Sequence, residues 1–430
     1  MRIFNSKVCV TKSLEHIITA TRNSKTFSSQ SISYPFMNGM AGLKPDAFSD
    51  DTPNSPSLLT QRMEAPHHSL QPSDELKKMY QVLGDSIKSS LDALGSVASS
   101  EIDLWEWIKL ETTLATSDGI WGPNNPLRRD PRLVESFWDY AFAATYIVRG
   151  VLPRIFVRRG IAAREKMVLA FEDYFANNCH ETGSILVRNM NSLNERNHVS
   201  LNEKARLETV IAMGAHANTI PTAFWAIFNV VSDPVLISRV RKEALNLVKT
   251  TVDKNGTTTR SFHMSDLQKS SLMISIVRET LRHEDSGMFA RMAAEDFVLD
   301  GEHLIRKDAW LLAPNPHIHF DASIWGATVN DFNPDRFTDA KTKKSAASAF
   351  LGLGTGANLC PGRYLAITEV SALLLLLVER FYLSPTSGSW IKPRKDLENM
   401  PLTVPPPKDK ILVNFRRRPT DTGVTWKVLG

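Results

Sequence analysis

Apolar residues recur every three to four positions from about Ser73 to about Val248, and short polar breaks separate the runs. That period predicts a series of amphipathic helices. The series opens at Ser73-Asp-Glu-Leu76, an N-cap followed by an acidic first turn. Two polar stretches, 189–202 and 249–262, are predicted as loops, the second turning at Lys254-Asn-Gly256. A further helix is predicted over 264–282. Beyond it the period changes. Residues 295–306 alternate apolar and polar about Asp300-Gly301, which predicts a hairpin. Residues 405–407 and 411–415 predict a second strand pair near the end. The longest apolar run, 372–378, falls well short of the ~18 residues of a membrane span and reads as a buried helix turn. Residues 1–75 are mixed and turn-rich, with Asp50-Asp-Thr-Pro-Asn-Ser-Pro56 as their most broken part. The expected fold class is therefore mainly α with small β-sheets (α+β). An irregular segment, 1–72, precedes one domain over 73–430.

Composition narrows this picture only a little. With 430 residues, 42% of them hydrophobic, the chain can bury a sizeable core. A net charge of +5 without a long basic block makes nucleic-acid binding a weak inference. An acidic protein partner or a membrane surface fits as well. Cys9, Cys179 and Cys360 are odd in number and far apart, which argues for a reducing compartment and against a disulfide scaffold. The first residues are basic and Ser/Thr-rich, with Glu15 the sole acid before Asp46. Both a solvated start and a mitochondrial transit segment fit that pattern.

The chemistry concentrates at four places. Phe350-Leu-Gly-Leu-Gly-Thr-Gly-Ala-Asn-Leu-Cys360-Pro-Gly-Arg-Tyr-Leu-Ala366 is a glycine-rich loop that runs into a helix. A thiol there faces the positive end of the following helix and is placed to become a thiolate, although an inert buried cysteine fits the loop equally well. A helix predicted over 207–231 carries Gly214, Ala217, Asn218 and Pro221 on one face. That face has little side chain, so a flat molecule could lie on it, and Pro221 should kink the helix by leaving the carbonyl of Ala217 unbonded. Glu279 and Arg282 share a face at three-residue spacing, and Asn333-Pro-Asp-Arg336-Phe337 brings a further arginine in a turn. Taken singly, these are a close helix crossing, a solvated ion pair and a turn.

Their order along the chain resembles that of the cytochrome P450 superfamily over roughly residues 75–420. The resemblance implies heme b (iron protoporphyrin IX) held by the thiolate of Cys360. It also implies a buried network of Glu279, Arg282 and Arg336 behind the haem, with Gly356, Gly362 and Ala366 at the family's loop and helix positions. Ala217-Asn-Thr-Ile-Pro221, Phe289-Ala-Arg-Met-Ala-Ala-Glu-Asp-Phe297 and Ile305-Arg-Lys-Asp308 look like the sterol 7α-hydroxylase, sterol 12α-hydroxylase and prostacyclin synthase branch. There Arg291 would pair with a haem propionate.

Three departures matter. Ala217 and Asn218 stand where most members carry an acid–alcohol pair, with Thr219 following, so a proton relay would use Asn218, Thr219, His216 or water. Leu353 replaces the family phenylalanine of the cysteine loop, and Asn358 replaces the arginine or histidine that meets a propionate. Thr19–Phe27 resembles the segment before the substrate-covering loop. The implied fold is thus an N-terminally truncated one that lacks the membrane anchor, the first helix and early strands, and that leaves the sheet near 295–312 with an unpaired edge. The implied activity is a monooxygenase acting on a lipophilic steroid- or terpenoid-like molecule with O2. The implied electron donor is an NADPH-dependent flavoprotein reductase whose acidic surface Lys341, Lys343, Lys344 and Arg363 could meet, although a solvated charged loop fits those four residues equally well. The alternatives are a haem-thiolate isomerase or dehydratase that needs no reductase, and a non-catalytic haem-binding paralogue. Family members sit at the endoplasmic reticulum surface, and without an anchor the expectation is cytoplasmic.

Overall fold

The two most apolar stretches form the helices at the centre of the molecule. The structure, a computed structural model, describes residues 2–3, 6–50, 56–96, 101–149, 157–338, 346–398 and 402–430. Thirteen helices of eight residues or more are found among them. They are α1 (Leu14–Arg22), α2 (Gln30–Ala41), α3 (Leu58–Ser69), α4 (Asp74–Ser96), α5 (Leu104–Trp121), α6 (Arg132–Arg149) and α7 (Arg158–Ala176). Then follow α8 (Ile185–Arg196), α9 (Leu201–His216), α10 (Thr219–Val231), α11 (Pro234–Leu247), α12 (Ser271–Glu284) and α13 (Arg363–Arg380). Every residue from Ile367 to Arg380 of α13 is buried, the signature of a helix apolar all round. It packs on α10, which also meets α5 and α12. Leu373 to Leu377 are each at most 2% exposed, and each such leucine stabilises the core by about 1.5–3 kcal/mol.

The strands form four small sheets that flank the helices. A five-stranded sheet runs in the order β1 (Arg2–Ile3), β2 (Ser6–Val10), β10 (Trp310–Pro314), β7 (Met288–Ala293), β3 (Phe27–Ser28). A three-stranded sheet joins β11 (Phe381–Pro385), β12 (Leu412–Arg417) and β4 (Glu101–Asp103). A second joins β13 (Val424–Leu429), β6 (Thr258–His263) and β5 (Lys249–Val252). The hairpin of β8 (Phe297–Leu299) and β9 (His303–Ile305) stands as predicted, and Asp300 (φ 53°) and Gly301 (φ 79°) supply its left-handed turn. The fold class is the expected α+β.

Several local expectations differ from the structure. Residues 14–69 are not irregular throughout, because they hold α1, α2 and α3. The loop predicted over 189–202 is mostly helix, and only 197–200 link α8 to α9. A capping box starts α9: Ser200 Oγ accepts from Glu203 N–H (3.3 Å), and Glu203 Oε2 accepts from Ser200 N–H (3.0 Å). The stretch 249–262 is largely the β5–β6 hairpin. Residues 264–269 form a 3₁₀ turn, so the next helix begins at Ser271. Residues 405–407 make no strand with 411–415; they form one isolated bridge, Lys395 to Pro407, and Pro405 O accepts from Trp225 Nε1 (2.8 Å). The edge expected to lie open is covered, since β2 pairs in parallel with β10 through Val8, Cys9 and Val10. Among the described residues no single helix is long and apolar enough to cross a membrane.

Candidate functional site

The loop before α13 holds Cys360 by main-chain bonds. Cys360 N–H donates to Leu353 O (2.7 Å), and a 3₁₀ turn over Gly356–Asn358 fills the loop. Two glycines make this path available. Gly354 has φ 78°, and a Cβ there would lie 2.3 Å from Asn358 O. Gly356 has φ 56°, and a Cβ there would lie 2.6 Å from Thr21 Cγ2. Gly356 therefore seats α1 against the loop, beside the Thr21–Thr355 hydroxyl contact (3.3 Å), and borders a cavity other than the one that holds Cys360. Arg363 donates to Cys360 O (3.0 Å) and lies over the Tyr364 ring (4.4 Å), so it staples the loop to the helix. Burial pushes the Cys360 thiol up, and the opposing pull of Gly362 N–H and Arg363 is smaller. The helix end expected to generate a thiolate does not outweigh burial. Lys341, Lys343 and Lys344 lie outside the described residues.

Facing this loop is the broken helix. The stretch 207–231 is two helices, α9 and α10, interrupted at Ala217-Asn218. Pro221 has no N–H to offer Ala217 O, which is where the helical ladder fails. Asn218 O accepts from both Thr222 N–H (3.2 Å) and Thr222 Oγ1 (2.6 Å). The Asn218 side chain is committed as well: its Oδ1 accepts from the N–H groups of Thr403 (2.8 Å) and Val404 (3.3 Å). Gly214, Ala217, Asn218 and Thr219 line one cavity of about 760 Å³ together with Cys360, while Pro221 does not reach it. A Cβ on Gly214 would meet nothing within 4 Å. His216 points away into the core between Trp121 and Phe137, bonded to Ser117 Oγ (3.1 Å), and burial pulls it down to about 3. It stays neutral and off the cavity.

Behind the loop, the carboxylate of Glu279 gathers two guanidinium groups. Arg282 donates to both of its oxygens (2.8 Å each), Arg336 Nε to Oε1 (3.2 Å), and Asn333 N–H to Oε1 (2.9 Å). None of the three side chains is more than 4% exposed. Arg282 also donates to His319 O (2.7 Å), and His319 Nε2 accepts from Leu351 N–H (2.9 Å). The network thus reaches the start of the cysteine loop.

Arg291, on β7, is 7% exposed and pairs with no carboxylate among the described residues. Its Nη1 donates to Ala290 O (2.8 Å), its guanidinium lies over Phe289 (4.3 Å), and burial pulls it down to about 10. It lines a second cavity of about 380 Å³ with Ser29 and Asn358, and those two residues also border the larger cavity. Ser29 Oγ donates to Asn358 Oδ1 (2.6 Å).

Three groups at the site had no signal in the sequence. Arg62 and Glu369 line the large cavity, and His319 braces the cysteine loop. Glu369 takes a hydrogen bond from Thr116, and burial pushes its carboxyl up to about 8. Each is an ordinary helix or loop residue until the tertiary fold removes it from water.

A mainly helical fold, a lone cysteine in a glycine loop, a broken helix across the cavity from it and a buried Glu–Arg–Arg network together define a haem-thiolate protein. The chain belongs to the cytochrome P450 family, whose model matches residues 165–413, and it is of the monooxygenase type. It is 29% identical over 371 residues to cytochrome P450 monooxygenase nodJ of Hypoxylon pulicicidum, covering 84% of this chain and 72% of that one. It is 28% identical over 229 residues to cholesterol 7-alpha-monooxygenase of Cricetulus griseus, covering 50% of this chain and 45% of the relative. It is 29% identical over 223 residues to 7-alpha-hydroxycholest-4-en-3-one 12-alpha-hydroxylase of Homo sapiens, covering 48% and 44%. The chain thus spans less than half the length of these two sterol hydroxylases. The cofactor of the family is haem with a cysteine thiolate ligand. The residues present fit it: a thiol faces a wall of small side chains across a large cavity, and the unpaired buried Arg291 asks for an anion.

Proposed function

We propose that the chain hydroxylates a lipophilic, steroid- or terpenoid-like molecule with O2 and electrons from an NADPH-dependent flavoprotein reductase. The endoplasmic reticulum surface is the compartment the resemblance carries. The observation that supports this most is the shared cavity of about 760 Å³ between Cys360 and the Gly214–Thr219 face. Cys360 Sγ would ligate the haem iron, and Arg291, Asn358 and Ser29 would meet its carboxylates. Bound haem supplies the activation of dioxygen.

The chain's own residues do the rest. Phe36, Met37, Met40, Ile211 and Met213 line the cavity, orient an apolar substrate and exclude water. Methionines suit this work because their flexible thioethers adapt to irregular shapes. The N–H groups of Thr403 and Val404 hold the Asn218 carbonyl, which fixes the break in the helix. Thr219 then brings a hydroxyl to the cavity wall, and that hydroxyl with water is the route for protons, since no carboxylate stands at 217–219. Glu279, Arg282 and Arg336 hold the cysteine loop from behind.

The reduced-CO difference spectrum tests the ligand assignment. Wild type should show the thiolate band and Cys360→Ser should lose it, whereas an unchanged spectrum in the variant refutes the assignment. Substrate-dependent oxygen uptake with NADPH and reductase tests the reaction. Turnover without any reductase would replace hydroxylation by isomerisation or dehydration.

A further inference from the structure

Seven arginine and lysine side chains are buried among the described residues: Arg62, Lys109, Arg164, Arg282, Arg291, Arg336 and Arg380. Five of them pair with a carboxylate. Arg291 and Arg62 make no such ion pair, and a buried cation without a carboxylate in contact is costly. Arg291 lies beside Asn358 and the cysteine loop, where the haem is expected. Arg62 has no such explanation.

Arg62 sits on α3 and is 3% exposed. Its Nη1 donates to Asn194 Oδ1 (2.7 Å) and its Nη2 to Leu207 O (3.4 Å), both neutral acceptors. It borders the large cavity, as do Thr60, Glu64 and His67 of the same helix. Glu208 is a buried acid that attracts Arg62 electrostatically but makes no ion pair with it. Its Oε1 is taken by Trp121 Nε1 (2.8 Å), its Oε2 has no partner, and burial pushes the carboxyl up while Arg62 draws it back down. Asn194 Nδ2 also lacks a partner. Leu207 precedes Ala217 by ten residues, about 15 Å along the helix. Arg62 thus marks the end of the cavity away from the helix break.

We infer that Arg62 is a specificity-determining residue that receives a carboxylate of the substrate, with Asn194 beside it, and so holds the rest of a lipophilic acid toward Cys360. This inference rests on the haem-site reading above and narrows its substrate to lipophilic acids. A hydrogen bond to a charged group contributes about 1.5–3 kcal/mol, so an acid should bind about tenfold or more tighter than the alcohol of the same chain.

The test uses holoprotein with dodecanoate and dodecan-1-ol, measured by equilibrium dialysis and by the ligand-induced shift of the Soret band. Wild type should prefer the acid, and Arg62→Gln should erase that preference while the alcohol binds as before. If Arg62→Gln does not fold, Arg62→Met fills a similar volume without a charge to bury and takes its place. Equal affinities in wild type overturn the inference, as does a preference that survives in the variant. A variant that loses haem yet keeps the preference assigns Arg62 to a propionate instead, which also overturns it. Failure of the haem-site reading shows separately, as a wild type without the thiolate band.

Discussion

Removing the carboxylate of Glu279 should be among the most damaging single changes in the molecule. Glu279→Ala deletes four hydrogen bonds: two from Arg282, one from Arg336 and one from Asn333 N–H. It leaves two guanidinium groups, 0% and 4% exposed, without the carboxylate they share. Breaking a buried pair in this way costs about 3–5 kcal/mol. The unfolding entropy of a chain this long is about 0.9 kcal/mol/K, so the melting temperature should fall by roughly 3–6 °C. Arg336→Ala should cost less, about 1.5–3 kcal/mol, because Arg282 still pairs with both Glu279 oxygens. Thermal unfolding followed by circular dichroism gives the two shifts, and the reduced-CO band measured alongside reports the cysteine loop. That band should weaken in Glu279→Ala, because Arg282 leads through His319 to Leu351 N–H. Two results would refute the reasoning: equal shifts for the two variants, or a Glu279→Ala cost below about 1 kcal/mol, the range of a solvated pair.

Two further outcomes follow from single groups. Gly356→Ala forces a side chain into φ 56° and against Thr21 Cγ2; it should cost about 1–2 kcal/mol from the backbone alone, plus a contact penalty that Thr21→Ser in the same chain relieves. Denaturant titration of the single and double variants checks this. Burial raises Glu369 from 4.5 to about 8, so in that window the folded state holds a proton the unfolded state has lost. Stability should therefore fall as pH rises from about 4.5 to about 8 and flatten above it. Glu369→Gln, measured over the same pH range, should lose that part of the slope; an identical slope would show that Glu369 does not titrate there.

The parts legible in the sequence are those whose cause is local. Asp300-Gly301 turns a hairpin through its own φ angles, and Pro221 breaks a helix through its own missing N–H. The glycines around Cys360 announce a loop because no other residue follows that path. Local cause is also why Glu279 and Arg282 could be placed on one face, while their burial could not be read. Burial comes from Trp325, Phe320 and the 328–336 turn closing over them, and nothing within three residues encodes it. The hairpin of β5 and β6 carries no local signal for a related reason. All four residues of β5 are exposed, so no alternation marks it, and the main chain of β6, itself paired with β13, holds it. The N-terminal strand is the extreme case: β2 finds β10 some three hundred positions away, and only the pairing makes Ser6–Val10 a strand. Arg62 belongs with these. On α3 it is one cation among polar neighbours, and its role follows only once α8 and α9 bring Asn194, Leu207 and Glu208 around it and strip away the water. Charge at a buried position is where the tertiary structure adds most to the reading, because the cost of burial exists only in the folded state and demands a partner.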